Sequence, residues 1–338
     1  MNAYCIHFLF LLIIKLIGDK MYLYSGGKTG GHIMPLISVI KEDNNKGIFI
    51  GQNGALEEKV CKNNNVSFIG LKGHKNKLLM GINGYKLLKD KLKNVKIDAL
   101  LTTGGYVSLA ACLYAIKKRI PIFLLEENVV LGSLNKKIYP FCKKLLLTYD
   151  IEKNRKKRAL TGLPIRQDNK MKLAMKYDVL IIGGSLGSKP LCELALEVSK
   201  KYKVCLIAGR FYKEYKQGEN LDVIEYSNDI YNLIKASRII IARSGASTAQ
   251  EIFMLQKPFI TIPSMKTKGN HQYYNAKFYS EKNASFMVLE NEMNDRVMNI
   301  INNIIINPEI EVNMKEAQAR LYKPFAAMKI LNIIRENI

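Results

Sequence analysis

Short apolar runs alternate along the chain with longer stretches in which apolar residues recur at helical spacing. This alternation predicts parallel β-sheets covered by helices. The runs are almost continuously apolar, which predicts that both faces of each sheet are buried. They fall into two series: MYLYSGG, KGIFIG, VSFIGL, DALLTTGG, PIFLLEEN and KKLLLTYD, then YDVLIIGG, YKVCLIAG, LDVIEYS, SRIIIARSG, KPFITIPS and SFMVLEN.

The two series begin in the same way. MYLYSGGKTGGHIMPLISVI and YDVLIIGGSLGSKPLCELAL each contain an apolar run, a glycine loop and a helical stretch. Two Rossmann-like domains are the simplest explanation. We predict an N-terminal domain of residues 21–165, a C-terminal domain of residues 166–323, and a last helix over 324–338 that packs back on the N-terminal domain. The linker is expected in the charged segment RKKRALTGLPIRQDNKMK.

Residues 1–20 precede the first predicted strand. Their apolar run, from Ile6 to Ile14, is too short to span a bilayer, and Lys15 interrupts it. No basic region comes before the run, and no clear cleavage site follows it. We interpret residues 1–20 as an extension from the start site or a frayed tail, with a weak membrane anchor as the alternative.

Composition narrows the class of protein. A chain of 338 residues is long enough for two ordinary domains. Its 52 Lys and Arg against 29 Asp and Glu give a net charge of +23, which indicates either a polyanionic partner or the codon usage of an AT-rich gene. The charge is spread along the chain without a nucleic-acid-binding motif, so no nucleic acid partner is expected. Six scattered cysteines and four histidines argue against a zinc site and favour a reducing, cytoplasmic compartment.

Glycines cluster where four of the predicted strands end. Because the carboxyl ends of parallel strands lie along one sheet edge, these loops are expected to present backbone N–H groups to an anion, in a cleft between the two domains. A single glycine at such a turn often serves only to allow tight packing. The prediction of an anion site therefore depends on the presence of glycines at four strand ends. The clusters are Gly26, Gly27, Gly30 and Gly31; Gly104 and Gly105; Gly183, Gly184 and Gly187; and Gly245.

Two later motifs add polar groups that suit a nucleotide sugar. In ARSGASTAQEI, Ser244, Ser247 and Thr248 stand at a helix start, where small hydroxyls can cap the helix. Glu251, a turn later, can accept two hydrogen bonds from a ribose diol. Gln272 and Asn275, near the start of the next helix, carry amides that suit sugar hydroxyls.

His32 directly follows the first glycine loop. An ordinary histidine pKa of about 6.5 allows it to act as a general base near neutral pH. The alternative is that His32 binds a phosphate or caps the helix. Glu126 is the rival base. No paired aspartates offer a metal site, so we expect neither a metal nor a cofactor in the chemistry.

Taken together, these motifs resemble the MurG family of bacterial glycosyltransferases. The similarity runs from about Met21 to the C-terminus. It rests on SGGKTGGHIMP, TTGGYVSLAA, EENVVLGSLNK, GLPIR, LIIGGSLGS, ARSGASTAQEI and NHQYYNA, in the family's order and at its approximate spacing.

The resemblance implies an α/β protein of the GT-B fold, with two Rossmann-like domains whose parallel sheets face each other across a cleft. It implies an inverting hexosyltransferase that moves GlcNAc from UDP-GlcNAc to lipid I, giving lipid II for peptidoglycan synthesis. The implied location is the cytoplasmic face of the bacterial cell membrane, as a peripheral protein. The alternatives are another GT-B UDP-sugar transferase or epimerase, and a non-catalytic nucleotide-binding relic.

The resemblance also implies positions that bind UDP-GlcNAc. Each position matches one contact in the family's motifs. They are Thr29, Gly30 and Gly31 in the loop that contacts the donor, Asn128 on the sugar, Arg166 and Ser185 near the diphosphate, Ser227 with a backbone contact to uracil, Ala246, Ser247 and Thr248 at the helix start beneath the nucleotide, Glu251 on the ribose, and Gln272 near the sugar hydroxyls.

Five positions depart from the family pattern. Lys28 stands where the family usually has glycine, and Leu125 replaces a histidine. Glu127 and Leu186 each replace a glutamine, and Leu163 replaces an asparagine. The departures put individual polar contacts in question and leave the glycine scaffold intact.

A membrane-bound acceptor requires a surface that meets the membrane. Residues 71–94 combine apolar side chains with many lysines, a composition typical of an interfacial patch on anionic lipid. The alternative is a solvated helix with ordinary core leucines. The apolar residues of the predicted patch are Leu78, Leu79, Met80 and Ile82, and its lysines are Lys72, Lys75, Lys77, Lys86, Lys89, Lys91 and Lys93.

Overall fold

Three predicted donor-binding residues, Thr29, Arg166 and Ser185, lie outside the part of the chain that the structure describes, as do Lys28 and residues 1–19. The structure is a computed structural model, and it describes residues 20–27, 30–151, 155–165, 174–184, 186–227, 229–265 and 267–338.

Contacts between residues divide the chain into two compact units. The first unit contains the chain up to Glu127, together with Leu131–Ile165 and Pro324–Ile338. The second unit contains Asn128–Val130 and Arg166–Lys323. Each unit is built around its own sheet.

The first unit has a sheet of seven strands. They are β1 (Tyr22–Gly26), β2 (Ile48–Gln52), β3 (Ser67–Leu71), β4 (Ala99–Gly104), β5 (Ile122–Glu126), β6 (Lys144–Leu147) and β7 (Arg158–Leu160). Their spatial order is β3-β2-β1-β4-β5-β6-β7, and every neighbouring pair is parallel. The helices between them are α1 (Gly30–Glu42), α2 (Leu56–Asn63), α3 (Lys77–Lys91), α4 (Leu109–Lys118) and α5 (Ser133–Ile138).

The second unit repeats this plan with six strands. They are β8 (Tyr177–Ile182), β9 (Val204–Ile207), β10 (Leu221–Ile224), β11 (Ser237–Ala242), β12 (Phe259–Thr261) and β13 (Phe286–Met287), in the all-parallel order β10-β9-β8-β11-β12-β13. Its helices are α6 (Lys189–Ser199), α7 (Ile230–Lys235), α8 (Ala246–Leu255), α9 (His271–Glu281), α10 (Met293–Ile306) and α11 (Pro308–Leu321).

The last helix, α12 (Ala326–Glu336), belongs to the first unit and contacts α1. Its side chains at Ile330, Leu331 and Ile334 are buried. An ion pair between Arg335 and Asp43, with Nη2 and Oδ1 2.5 Å apart, joins the end of α12 to the end of α1. The chain therefore completes its first unit with its last residues.

Helix α1 shows how the sequence builds each layer. Ile33, Leu36, Ile37 and Ile40 are buried, and their spacing of three and four residues forms one apolar stripe. That stripe covers the sheet, in which β1 is buried along its whole length. The same arrangement of helices on parallel strands confirms the predicted α/β class with two Rossmann-like halves.

Both sheets reverse their strand order at one point. The reversal lies between β1 and β4 in the first unit and between β8 and β11 in the second. Ligands of open α/β sheets bind at such a point, beyond the carboxyl ends of the strands. The glycine clusters that begin at Gly26, Gly104 and Gly183 follow three of these four strands, and Gly245 follows the fourth.

One strand was not expected. β7 lies in the segment that the sequence suggested as a linker, and it extends the first sheet by pairing with β6. It has three residues and basic neighbours, so it lacks the apolar run that marks the other strands. As an edge strand it needs only one paired side, which a short polar segment can provide.

Candidate active site

The loop after β1 is shaped by what surrounds Gly26. A side chain there would place its Cβ 2.1 Å from Thr103 Oγ1 and 2.7 Å from the His32 carbonyl oxygen. The Thr103 hydroxyl donates a hydrogen bond to that carbonyl at 2.9 Å. The end of β4 is thereby fixed against the first turn of α1.

Gly30 and Gly31 open α1 and have a different environment. A Cβ at Gly30 would meet no atom of the described residues within 4 Å, so the backbone there faces open space. Pro35 has no N–H to donate to the Gly31 carbonyl, which an ordinary residue would do inside a helix. The first turn of α1 can therefore take a ligand close to its backbone.

His32 lies in that first turn, beside a carboxylate. Its Nδ1 is 3.3 Å from Oε2 of Glu127, which directly follows β5. The His32 side chain is 31% exposed and the Glu127 side chain 5%. His32 was predicted from the sequence as a site residue, whereas Glu127 was noted only as a departure. The signal that could have found it is an acidic pair at a strand end.

Glu126, the rival base, is buried and bonded to its own loop. Its Oε2 accepts hydrogen bonds from the Gly132 N–H at 2.8 Å and from the Asn135 amide at 2.9 Å. Its carbonyl oxygen accepts a bond from the Thr148 hydroxyl. These bonds hold the segment between β5 and α5, which is a structural use of the carboxylate.

In the second unit, the loop after β8 is a tight glycine turn. Gly184 and Gly187 have positive φ angles of 82° and 72°. A Cβ on Gly187 would lie 2.2 Å from the Ala208 carbonyl oxygen, so only glycine fits there. The turn leads into α6, whose N-terminal N–H groups can bind an anion.

The loop after β11 leads into α8 through Gly245, which is the N-cap and has no side chain to cap the helix. The predicted alternative role of Ser247 or Thr248 as the cap is therefore wrong. The Ser247 hydroxyl is buried without a hydrogen-bond partner among the described residues. Burial raises the pKa of Glu251 to about 7.

The amides of Gln272 and Asn275 have partners within the second unit. Gln272 Oε1 accepts a hydrogen bond from the Ser264 N–H at 2.8 Å. Asn275 donates through Nδ2 to Asn128 Oδ1 and to the Ser244 carbonyl, each at 3.0 Å. Its Oδ1 accepts from the Val129 N–H. Asn275, which we expected to suit sugar hydroxyls, instead holds Asn128 in place.

Comparison with known proteins identifies the family. The model of the glycosyltransferase family 28 N-terminal domain matches residues 22–147, and that of the C-terminal domain matches residues 178–330. A protein of Caldicellulosiruptor saccharolyticus named UDP-N-acetylglucosamine–N-acetylmuramyl-(pentapeptide) pyrophosphoryl-undecaprenol N-acetylglucosamine transferase is 32% identical over 94% of this chain and 98% of its own length. The chain belongs to the MurG family.

Other members and structures agree with this assignment. The Bacillus subtilis transferase of the same name is 28% identical over 92% of this chain and 98% of its own length. The crystal structure of Acinetobacter baumannii MurG has a TM-score of 0.76 and 21% identity, and it covers 94% of this chain and 100% of that one. CalG4, the calicheamicin glycosyltransferase, has a TM-score of 0.73 at 10% identity over 94% of this chain and 98% of that chain. These likenesses confirm the GT-B fold.

The leucines that depart from the MurG family pattern have different surroundings. Leu125, in β5, and Leu163 are buried. Leu186, in the loop after β8, is 67% exposed. The first two replacements therefore add apolar core, while the third leaves an apolar side chain at the sheet edge where the family has an amide.

Arg243 is a residue of this MurG-family chain that the sequence analysis missed. Its guanidinium bonds the Ser188 hydroxyl and the Glu290 carboxylate, each at 2.5 Å, and donates to the Ile262 carbonyl at 3.1 Å. It thus joins the end of β11 to the start of α6 and to the segment after β13. A charged residue directly after an apolar strand was the available signal.

The Ser227 hydroxyl accepts a hydrogen bond from the Asp229 N–H at 3.0 Å, and its backbone contact to uracil stays a prediction. Within the described ranges, no group of three or more His, Cys, Asp or Glu side chains is arranged to hold a metal ion.

Proposed function

We propose that this protein is an inverting hexosyltransferase that moves GlcNAc from UDP-GlcNAc to lipid I, giving lipid II for peptidoglycan synthesis. The observation that carries the proposal is the similarity to named UDP-GlcNAc transferases along almost the whole of both chains. A match to one domain alone would support only nucleotide binding. Here both family 28 domains are present.

For the donor, we propose that UDP-GlcNAc binds at the carboxyl edge of the second sheet. Glu251 would accept the ribose hydroxyls, and the Ser247 hydroxyl, which lacks a partner among the described residues, suits a further ligand contact. The glycine turn at Gly184 and Gly187 would bind the diphosphate through backbone N–H groups. Arg166 and Ser185 remain predicted diphosphate contacts, Asn128 and Gln272 predicted sugar contacts, and Thr29, Gly30 and Gly31 predicted contacts of the other unit.

For the chemistry, we propose His32 as the general base. The acceptor oxygen forms a bond to the anomeric carbon as the bond from that carbon to the UDP oxygen breaks, which inverts the configuration. The acceptor proton passes to His32, and UDP leaves with the bonding electrons. Glu126 is the less suitable base because its carboxylate is buried and bonded to Gly132 and Asn135.

For the acceptor, we propose that α3 contacts an anionic membrane surface on the cytoplasmic side. Leu78, Leu79 and Ile82 are 62%, 43% and 39% exposed. Exposed lysines surround them, in an arrangement that suits anionic headgroups. Among the helices of the described ranges, none has both the length and the apolar character needed to cross a bilayer.

The test is transfer of labelled GlcNAc from UDP-GlcNAc to a lipid I analogue, with the product identified by mass spectrometry. Formation of the disaccharide lipid is the expected result, and UDP-sugars other than UDP-GlcNAc should react poorly. His32→Ala should lower kcat by about 10²–10⁴-fold while UDP-GlcNAc still binds. Conversion of UDP-GlcNAc to an epimer, or binding without transfer, would contradict the proposal.

A further inference from the structure

Glu127 has a buried carboxylate next to His32, and the proposed donor and acceptor contacts give this carboxylate no role. Its side chain is 5% exposed, and its Oε2 lies 3.3 Å from His32 Nδ1. Its Oε1 has no hydrogen-bond partner among the described residues. A buried carboxylate is costly unless a cation or hydrogen-bond donors compensate its charge. His32 is the cationic partner that the geometry offers.

We propose that Glu127 is a positioning residue that orients and strengthens His32 as the base of the transfer reaction. This inference rests on the proposed function. The negative charge of Glu127, with Oε2 3.3 Å from Nδ1, favours a proton on that nitrogen, which leaves the lone pair on Nε2 to accept the acceptor proton. When His32 becomes an imidazolium, the negative charge of Glu127 stabilises it. The carboxylate does not itself take the proton.

Several other acidic groups lie near α1, and Glu126, Glu58 and Asp43 among them have partners of their own. Glu126 accepts hydrogen bonds from Gly132 and Asn135. Glu57 of α2 lies against Gly27, and its neighbour Glu58 accepts a bond from Gly54. At the opposite end of α1, Asp43 pairs with Arg335 of α12. Among the ion pairs of the described residues, His32 pairs with Glu127.

The experiment is an NMR titration of the histidine ring signals in the full chain without substrates. The chain has only four histidines, and the spectrum of His32→Ala assigns the His32 signal. Glu127→Gln keeps the size of the side chain and removes its charge. We expect the pKa of His32 to fall by about 1 unit or more in this variant, because an opposite charge at this distance favours the protonated ring.

The same variant should change the pH profile of transfer. The acid limb of kcat should move to lower pH by the same amount as the His32 titration, because the base must be deprotonated to act. At pH 8, kcat should fall by at least about tenfold, since the weaker base has lost its charged partner. A purely structural role for Glu127 would lower activity without moving the limb.

Two further variants make the result decisive. Glu42→Gln removes a charge from the exposed last residue of α1, about 15 Å along the helix from His32, and should leave the titration unchanged. Glu127→Asp keeps the charge, so its His32 titration should stay closer to that of the wild type than to that of Glu127→Gln. A His32 pKa that is the same in wild type and Glu127→Gln, or the same in the Asp and Gln variants, overturns the proposal. Because the titration needs no substrate, a failed transfer assay would count against the proposed function alone.

Discussion

At the scale of single residues, Glu251 combines a proposed contact to the ribose with a cost to stability. Burial raises its pKa to about 7, so the folded protein holds its proton in a pH range where the unfolded chain has released it. The ionised carboxylate is the stronger hydrogen-bond acceptor for the two ribose hydroxyls, since both of its oxygens can accept. The Glu251 side chain is therefore mostly in the form that binds ribose more strongly only when the pH is above its pKa of about 7.

Donor affinity should consequently depend on pH. About a tenth of Glu251 is ionised at pH 6 and nine tenths at pH 8, so UDP-GlcNAc should bind about tenfold more tightly at pH 8. The diphosphate diester of this ligand does not itself titrate in that range. Isothermal titration calorimetry across the range would measure the change. Glu251→Gln should bind more loosely at pH 8 and show a flat profile, and a pH-dependent Gln variant would contradict this assignment.

The same pKa fixes the sign of a stability effect. The unfolded chain loses the Glu251 proton near pH 4.5 and the folded protein near pH 7, so the free energy of unfolding falls as pH rises between these values. The full penalty, present above about pH 7, is up to about 3 kcal/mol. Glu251→Gln lacks it, so its stability relative to wild type should increase from pH 4 to pH 8 in urea unfolding.

A substitution at Gly30 tests whether the donor contacts the backbone of the first turn of α1. Gly30→Ala adds a methyl group that meets no described atom, so folding stability should stay within about 1 kcal/mol of wild type. If the donor approaches this turn, kcat/KM should fall by about tenfold or more, since a hydrogen bond to a charged group contributes roughly 1.5–3 kcal/mol. Gly26→Ala is the contrasting variant, because its clash with Thr103 should lower stability instead. Full activity in Gly30→Ala would argue that the turn does not contact the donor.

Sequence reasoning at this scale predicts residues whose chemistry is local and misses residues whose role depends on a neighbour distant in the chain. His32 and Glu251 stand in motifs that identify them directly. Glu127 and Arg243 gain their meaning from side chains far away in the chain, which only the folded sheet brings to them. Asn275 had the right chemistry for a sugar, but its amide bonds are taken by Asn128 and Ser244.

At the scale of elements, α3 has two faces with opposite requirements. A Cβ on Gly81 would clash with Leu109 of α4, and a Cβ on Gly84 would clash with Ala110. Because glycine has no side chain, the two helices can pack closely at these positions. Met80, which we predicted in the membrane patch, is buried with them, and that part of the prediction is wrong. The close packing against α4 leaves Leu78, Leu79 and Ile82 on the outer face.

Membrane binding should therefore depend on that outer face. Replacing Leu78 and Ile82 together by glutamate should abolish flotation with anionic vesicles, because each buried apolar side chain contributes about 1.5–3 kcal/mol and the new charges repel the lipid. UDP-GlcNAc affinity should not change. Ile306→Glu is the matched control, since Ile306 is 72% exposed in α10 of the second unit. Equal loss of flotation in the control would indicate a general charge effect rather than a patch.

The strands were predictable because each buried strand needs its own apolar run. All twelve predicted runs correspond to strands of the two sheets, from β1 to β6 and from β8 to β13. β7 has no such run. It lies at the edge of the sheet and pairs only with β6, so backbone hydrogen bonds to one neighbour are enough to form it. The strand order follows from the chain order by the topology of Rossmann-like sheets, so it too was within reach of the sequence.

At the scale of the whole molecule, the two units have separate cores, and we propose that they unfold separately. Ile330→Ala in α12 should cost about 2–5 kcal/mol, because the side chain is fully buried. Hydrogen exchange should show lost protection in the first unit, including β1 and α1, with the second unit unaffected. Ile301→Ala, fully buried in α10, should give the converse pattern. Loss of protection throughout the molecule in both variants would mean that the units unfold together.

The position of α12 has a consequence for the order in which the protein is made. The second unit includes one long continuous segment, Arg166–Lys323, whereas the first unit needs residues from both ends of the chain. Because Pro324–Ile338 follow the whole of Arg166–Lys323 in the chain, we expect α1 to stay uncovered by α12 until translation has passed Lys323. We therefore expect the second unit to complete its folding before the first, in contrast to the usual order in which N-terminal domains fold first during translation.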